Sequence, residues 1–194
     1  ETRYSIDTDR TWNAAGSPYI ITNSMYVNAG STLTIEAGVT VIFNSNYYFY
    51  VGGSLIVNGT SSEPVTFRSQ YTPSLNRWGG IIINSTGSIQ SNYLNVSSTY
   101  YGVLAYNGAK VRLENATFFY AYYGLYIYNV QNVVVEHCTF DTTSQYSIYA
   151  PYAHYLRVNG SMFHRTSGNY WTARSYFEYT NYLYFCNNTF YRTQ

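Results

Sequence analysis

The sequence predicts an all-β protein, a right-handed parallel β-helix (a solenoid) of about seven coils with roughly 22–24 residues in each coil. Two strand types carry this prediction, because each recurs at nearly the same interval and the two alternate along the chain. The segments are short, alternate apolar with polar residues and show no sustained helical period. That combination indicates strands separated by turns.

The first strand type ends in Phe. Its copies occupy residues 111–118, 133–140, 156–163 and 183–190, and a weaker copy occupies 89–96. The terminal residues Phe118, Phe140, Phe163 and Phe190 are 22, 23 and 27 residues apart. We therefore expect these four Phe residues to form one inner column of the stack.

The second strand type begins at Gly80, Gly102, Gly124 and Ser147, with intervals of 22, 22 and 23 residues. In the N-terminal third, residues 30–35 match 52–57, and residues 39–43 match 64–67, which pairs Phe43 with Phe67. One coil cannot bury its own apolar side, but coils stacked about 4.8 Å apart bury a continuous core. We expect one domain over 1–194, with an N-terminal entry segment at 1–25 and the coils at 26–194.

Composition gives no indication of nucleic-acid binding or of membrane association. Charged residues make up 10% of the chain and the net charge is +1, so bulk charge does not indicate nucleic acid or an anionic membrane. No apolar run is long enough to cross a bilayer.

The chain has 26 Tyr, more than the interior can hold, so many must form outward stacks along the coil axis. Such stacks could stabilise the coils, bind sugars or contact further copies of the protein.

Several features favour an extracellular or cell-surface location. The chain begins with Glu1 instead of Met, so we expect a secreted protein whose signal has been removed. Six Asn-x-Ser/Thr sequons are candidates for glycosylation. They lie at Asn58, Asn84, Asn95, Asn115, Asn159 and Asn187.

Residues 16–21, 30–43 and 52–67, followed by Arg77-Trp78-Gly79-Gly80-Ile81, resemble the opening of many secreted right-handed parallel β-helix proteins of the pectin-lyase-like superfamily. The resemblance covers nearly the whole chain and implies the fold. The superfamily includes polysaccharide lyases and hydrolases, phage tailspikes, adhesins, surface-layer proteins and periplasmic accessory proteins. The fold therefore does not choose among these functions.

The enzyme motifs of that superfamily are missing from the sequence. Its polygalacturonase-like members carry clustered Asp residues with Gly-His-Gly and Arg-x-Lys elements, and its lyases carry several Asp for calcium with a catalytic Arg or Lys. This chain has three Asp, at Asp7, Asp9 and Asp141, and one Lys, Lys110. We expect no cofactor and no metal site, and a catalytic role is less favoured than a non-enzymatic one.

The weak catalytic alternative comes from the repeat register. Counting back four residues from the Phe column places Glu114 and Glu136 on the outer surface, one coil and roughly 5 Å apart. Retaining glycosidases hold two carboxyls about 5–5.5 Å apart, and His137 is adjacent. The favoured interpretation is a surface charge cluster in which Arg112 neutralises both carboxylates, with His137 at an inward or turn-capping position.

The two cysteines, Cys138 and Cys186, fall two coils apart in the repeat. This implies a separation of about 10 Å, beyond the roughly 7 Å that a disulfide tolerates. We therefore predict no intrachain bridge.

The favoured function is that of a structural protein that assembles head to tail into an extracellular filament or surface layer. A β-helix exposes strand edges at its ends, and the repeat runs up to residue 190 without a capping helix after it. The expected partner is then the protein itself, through its coil ends and Tyr-rich faces. The alternative is a polysaccharide-binding or polysaccharide-degrading β-helix protein, with glycans as partners, and a third possibility is a segment of a longer adhesin.

Overall fold

The computed structural model describes residues 4–71, 77–165 and 174–192. Within these ranges the chain forms short strands and one 3-10 turn at Ala14–Gly16, without an α-helix. In chain order, the strands are β1 (Ser5–Ile6), β2 (Arg10–Trp12), β3 (Tyr19–Ile21), β4 (Met25–Val27), β5 (Thr32–Glu36), β6 (Thr40–Phe43), β7 (Tyr48–Val51), β8 (Ser54–Asn58), β9 (Val65–Ser69), β10 (Trp78–Ile83), β11 (Ser88–Asn92), β12 (Leu94–Ser97), β13 (Thr99–Tyr106), β14 (Lys110–Glu114), β15 (Thr117–Phe119), β16 (Tyr123–Tyr128), β17 (Asn132–Glu136), β18 (Thr139–Asp141), β19 (Tyr146–Pro151), β20 (Tyr155–Asn159), β21 (Met162–Arg165), β22 (Ser175–Glu178), β23 (Tyr182–Cys186) and β24 (Thr189–Arg192).

Every third strand belongs to the same parallel sheet, so the chain winds through three sheets of eight strands each. Sheet A begins with β1 and ends with β22, sheet B runs from β2 to β23, and sheet C runs from β3 to β24. Three consecutive strands therefore make one coil of a parallel β-helix. The predicted fold class is confirmed, with eight coils where the sequence predicts about seven. The first coil consists of β1, β2 and β3, where the repeat is weakest in sequence.

Strand pairing confirms the main columns of the repeat. On sheet C, Phe118, Phe140, Phe163 and Phe190 are consecutive register partners. Their rings stack with centroid separations of 5.2, 5.1 and 4.8 Å along the column. The predicted inner Phe column therefore exists, and it forms one side of the continuous core.

The expected pairing of Phe43 with Phe67 is wrong. Phe67 pairs with Val41, and Phe43 pairs with Ser69, because the turn at 59–64 is longer than the turn at 37–39 in the preceding coil. A shift of two residues keeps the same side chains inward. Phe43 is therefore still buried, and its ring stacks on Trp78 with centroids 3.9 Å apart.

Glycines of sheet A make room for the Phe column of sheet C. A Cβ added to Gly124 would lie 2.7 Å from Cδ1 of Phe140, and one added to Gly102 would lie 2.4 Å from Cδ1 of Phe118. Side chains at these two positions would collide with the rings. The Gly that begins the second strand type in these coils is therefore required by packing across the core.

From Tyr93 onward, every described corner of a coil contains a residue with positive φ, and these residues form columns of their own. The residues, with φ between 47° and 60°, are Asn107, Asn129, Tyr152 and Tyr179 between sheets A and B, Tyr93, Asn115, His137, Gly160 and Asn187 between sheets B and C, and Ser98, Tyr120 and Thr142 between sheets C and A. Asn and Gly adopt this conformation at low cost. The recurrent Asn and Gly residues of the repeat therefore mark its corners.

Candidate functional site

The outer surface of sheet B carries the charged residues that the repeat predicts to be neighbours. Glu114 and Glu136 are register partners on β14 and β17. The Arg112 guanidinium contacts the Glu114 carboxylate, and its Nη2 lies 3.5 Å from Oε2 of Glu136. Arg157 approaches from the next coil, with Nη2 3.0 Å from Oε1 of Glu136. The result is a ladder of alternating ion pairs along the coil axis.

This ladder is the geometry of a surface charge cluster. The guanidinium groups of Arg112 and Arg157 occupy the carboxylate oxygens that a reacting sugar and its proton would need. Both Arg side chains are nearly half exposed, so their pairs contribute little to stability. The weak catalytic role of Glu114, Glu136 and His137 stays a prediction for an activity assay.

His137 lies at the corner between sheets B and C with φ of 53°. Its backbone N–H donates to the carbonyl oxygen of Asn159 at 3.0 Å. Its exposed ring lies over Gly160, where an added Cβ would come within 2.7 Å of Cδ2. Gly at position 160 therefore lets the His137 ring pack on the following corner, as expected of a turn position.

A groove of about 540 Å³ adjoins the ion-pair ladder on sheet B. Ile56 and Val134 contribute apolar surface to it, and Lys110, Arg112 and Asn132 contribute polar groups. Its size and mixed lining are within the range of small-molecule and oligosaccharide sites. The groove therefore has the size and lining to hold a ligand on sheet B.

The outer surface of sheet A is covered by tyrosines, which we call the tyrosine face. Strand pairing and ring contacts align them in three rows along the coil axis. The rows contain Tyr48, Tyr101, Tyr123 and Tyr146; Tyr26, Tyr50, Tyr126, Tyr149 and Tyr176; and Tyr106, Tyr128, Tyr152 and Tyr179. Gly80 interrupts the first row, and Ile82 and Leu104 interrupt the second. The outward Tyr stacks that the sequence predicts are thus present.

Within these rows many rings lie face to face. Tyr101 and Tyr123 stack with centroids 5.5 Å apart and an interplanar angle of 11°, and Tyr149 stacks on Tyr176 at 5.1 Å and 13°. Stacked rings cover each other's faces and leave edges and hydroxyl groups for a partner. Sugar stacking needs a free ring face, so the tyrosine face favours coil stabilisation and protein contacts over sugar binding.

Two phenols of this face have a pKa raised to about 12. Desolvation by burial, followed by the charges of neighbouring tyrosines, raises the pKa of Tyr123 to about 12. The Tyr176 hydroxyl donates to Oε2 of Glu178 at 2.5 Å, and this hydrogen bond is the main reason that the pKa of Tyr176 is raised to about 12. The hydroxyls of Tyr123 and Tyr176 therefore stay uncharged at mildly alkaline pH.

Sequence reasoning missed Arg77, which binds the corners between sheets C and A. Its Nη2 donates to Oγ of Ser144 at 2.8 Å, and its guanidinium carbon lies 5.7 Å from the Tyr122 ring centroid. Desolvation by burial lowers the pKa of Arg77. A single Arg before Trp78 has no repeat partner, so no periodic signal could identify its contacts across two coils.

A second missed contact joins β18 and β21 on the outside of sheet C. His164 Nδ1 lies 3.0 Å from Oδ1 of Asp141, and the hydroxyl of Thr142 donates to the same oxygen at 2.8 Å. Both Asp141 and His164 directly follow a Phe of the inner column. Counting forward one residue from that column would have predicted the pair.

The six sequon asparagines differ in how free their amides are. Asn58 and Asn187 are exposed, whereas the other four are half-buried. Oδ1 of Asn159 accepts from Nδ2 of Asn187 at 3.0 Å, and Nδ2 of Asn115 donates to Oδ1 of Asn92 at 2.8 Å. Because a glycan is attached through Nδ2, Asn58 is the most available acceptor, and glycosylation stays a prediction.

Both cysteines are free, in agreement with the prediction of no bridge. Cys138 is buried in the core, and Cys186 is exposed in the outward column that also contains Glu136. Burial raises the pKa of the Cys138 thiol to about 12. The two thiols therefore have very different reactivity.

Metal-binding clusters and long apolar helices are both absent from the described ranges. Among these residues no group of three or more His, Cys, Asp or Glu side chains could hold a metal ion. In the same part of the chain no helix has the length and apolar character needed to cross a membrane.

Comparison with known families supports the fold. The family model described as right-handed beta helix region matches residues 79–194, and the model described as pectate-lyase like beta helix domain matches residues 5–121. Each match covers more than half of the chain. No curated protein and no solved structure matches the chain significantly.

Proposed function

We propose that this chain, which belongs to the right-handed β-helix family, is a secreted structural subunit that stacks head to tail with copies of itself. The product is an extracellular filament or surface layer. The proposal rests on the surface of the last described coil.

The single observation that carries the proposal is the exposure of core positions in that coil. Leu183 is 41% exposed and Phe190 is 57% exposed. Their register partners one coil earlier, Leu156 and Phe163, are fully buried. The last coil thus presents the same ring and aliphatic columns that the interior coils bury.

A coil of the same repeat is the occupant that fits this surface. Such a coil places another ring on the Phe column, in which the centroids of Phe163 and Phe190 are 4.8 Å apart. It also pairs with strand edges that are open on one side within the described residues. In the first described coil, the half-buried Trp12 and Tyr19 pack against the core and stack with centroids 4.4 Å apart, which offers an aromatic partner surface. Such a contact joins unlike surfaces and does not close, so it produces a filament.

The test is light scattering and negative-stain microscopy of the purified chain over a range of concentrations. We expect filaments or concentration-dependent oligomers, and we expect Phe190→Lys to abolish them while the circular dichroism spectrum is retained. Tyr128→Lys is the matched control, since Tyr128 is also an exposed aromatic residue (44%) but lies on the tyrosine face. Wild-type protein that stays monomeric at high concentration contradicts the proposal.

The groove on sheet B supports a second candidate function, the binding of a polysaccharide. Its Ile56 and Val134 side chains provide apolar contact, and Lys110 and Asn132 provide hydrogen-bond donors. A glycan array with the wild type and Ile56→Arg tests this function, because Arg at position 56 fills the groove. Binding that the variant loses supports it, and a reducing-sugar assay with Glu114→Gln and Glu136→Gln tests for cleavage.

A further inference from the structure

Two tyrosines at consecutive corners between sheets A and B are both exposed and in contact. Tyr152 is 44% exposed and Tyr179 is 67% exposed. Their rings are nearly parallel, with an interplanar angle of 7° and centroids 5.0 Å apart. Both residues have positive φ, so the same corner geometry sets the two rings one above the other.

We propose that Tyr152 and Tyr179 form a site of oxidative phenol coupling, where a peroxidase with hydrogen peroxide, or another one-electron oxidant, joins the two rings as dityrosine. The bond is intramolecular and connects the last described coil to the coil before it.

The coupling balances as a two-electron oxidation. Each phenol loses one electron to the oxidant and its hydroxyl proton to solvent, which gives two phenoxyl radicals. The radicals join through a ring carbon next to each phenol oxygen, and one new C–C bond forms. The two ring hydrogens at those carbons then move to the oxygens, which restores both hydroxyls. Hydrogen peroxide takes up the two electrons and two protons and becomes two molecules of water.

Solvent exposure and ring contact together distinguish Tyr152 and Tyr179 from the other stacked tyrosine pairs. Among the stacked tyrosine pairs of the described residues, this pair is the one in which both rings are exposed. Tyr149 and Tyr176 stack at a similar distance of 5.1 Å, but both are half-buried. Tyr122 stacks on Tyr100, but it faces the Arg77 guanidinium, and a cation close to a ring opposes the loss of an electron.

The charge near Tyr152 has the opposite sign. Desolvation and, after it, the Glu178 carboxylate raise the pKa of the Tyr152 phenol. A negative charge that resists deprotonation also favours removal of an electron from the ring. The site therefore combines exposure, ring contact and a favourable electrostatic environment.

The bond would act on a coil in which β22 and β23 contain no buried residue. It closes the loop between residues 152 and 179 and so limits the unfolded chain, which is how a covalent cross-link stabilises a fold. We expect the oxidised protein to unfold at a higher temperature than the untreated protein.

The experiment treats the dilute 194-residue chain with peroxidase and hydrogen peroxide, at a concentration where light scattering finds a monomer. The expected product is a monomer with dityrosine fluorescence and a linked peptide pair that contains Tyr152 and Tyr179 and has lost two hydrogens. Tyr152→Phe and Tyr179→Phe keep the rings but should each abolish this peptide pair. Tyr128→Phe is the matched control and should retain it, because Tyr128 is equally exposed (44%) but meets Tyr152 edge-on at 5.7 Å.

Two results overturn the proposal. One is a wild-type digest in which other tyrosine pairs are linked and this pair is not. The other is a Tyr179→Phe chain that keeps the full dityrosine fluorescence of the wild type. Neither result bears on filament assembly, since the protein is monomeric in this assay.

Discussion

The coil that contains Leu156 and Phe163 and the coil that contains Leu183 and Phe190 carry Leu and Phe in the same two inner columns. The first pair is fully buried, and the second pair is 41% and 57% exposed. Each coil of a solenoid is covered only by the coils next to it, and within the described residues the first of these two coils has a neighbour on both sides whereas the second has one on a single side. Equivalent positions of the repeat are therefore buried to different extents, so the same substitution should change the free energy of unfolding by different amounts along the stack.

The outward columns of the two coils also differ. On sheet B, the positions of Arg157 and Asn159 in the interior coil are followed by Tyr184 and Cys186 in the last described coil. Tyr184 is 58% exposed, so the apolar character of this coil extends from its end to its side. Substitutions in these two coils and in earlier coils test how buried and exposed positions of the stack differ.

The largest effect is expected from the Phe column. Phe163→Ala should lower the free energy of unfolding by about 3–5 kcal/mol, since it removes a fully buried ring. Phe190→Ala should cost about 1 kcal/mol, because more than half of its ring area is already in water. Urea denaturation of both variants in dilute solution measures the difference. Equal costs would contradict the comparison, and a cost for Phe190→Ala that rises with protein concentration would support end-to-end stacking.

The second effect is expected from the two thiols. In the native protein a thiol reagent at mildly alkaline pH should label Cys186 within minutes and leave Cys138 unmodified, because Cys138 is buried and its pKa is about 12. Cys186→Ser should abolish the labelling, and Cys138→Ser should leave it unchanged. Mass spectrometry identifies the labelled residue. Rapid labelling of Cys138 would mean that the interior coil opens.

The same thiol predicts the direction of the pH dependence of stability. The pKa of Cys138 is raised from 9.0 to about 12 on folding, so between these values the unfolded chain loses a proton that the folded chain keeps. The unfolded state then binds fewer protons, and the free energy of unfolding falls as the pH rises. Cys138→Ala should reduce this alkaline loss in thermal melts at a series of pH values. An unchanged slope would assign the loss to other groups, such as Tyr123, whose pKa is also raised.

The smallest effect is expected from the ion-pair ladder. Glu136→Gln removes the contacts with Arg112 and Arg157, and it should cost no more than about 1 kcal/mol, because both Arg side chains are nearly half exposed. The cost should shrink in high salt. Glu36→Gln, at an exposed position that ends β5, is the control in the same denaturation assay. A loss of several kcal/mol would show that the ladder is more important than its exposure indicates.

The sequence predicts most of the fold because a β-helix repeats one pattern. The Phe column, the second strand type and the outward position of Glu114 and Glu136 all follow from counting intervals. Counting failed where one coil has a longer turn, and it paired Phe43 with Phe67 instead of Ser69. A longer turn shifts which residues of neighbouring strands pair, but the alternation of inward and outward side chains within each strand is kept. The sequence pattern therefore still predicts burial correctly where it predicts the wrong partner.

The sequence by itself determined the solenoid, its core columns and the placement of Tyr on the outside, since these depend on local alternation and a fixed period. Only the tertiary structure decided which tyrosines stack, that Arg77 contacts Tyr122 and Ser144, and that Tyr152 lies on Tyr179. These contacts depend on the corner conformation and on which coil lies next to which. Side-chain direction at a corner is set by φ and by the neighbouring coil, neither of which a periodic pattern records.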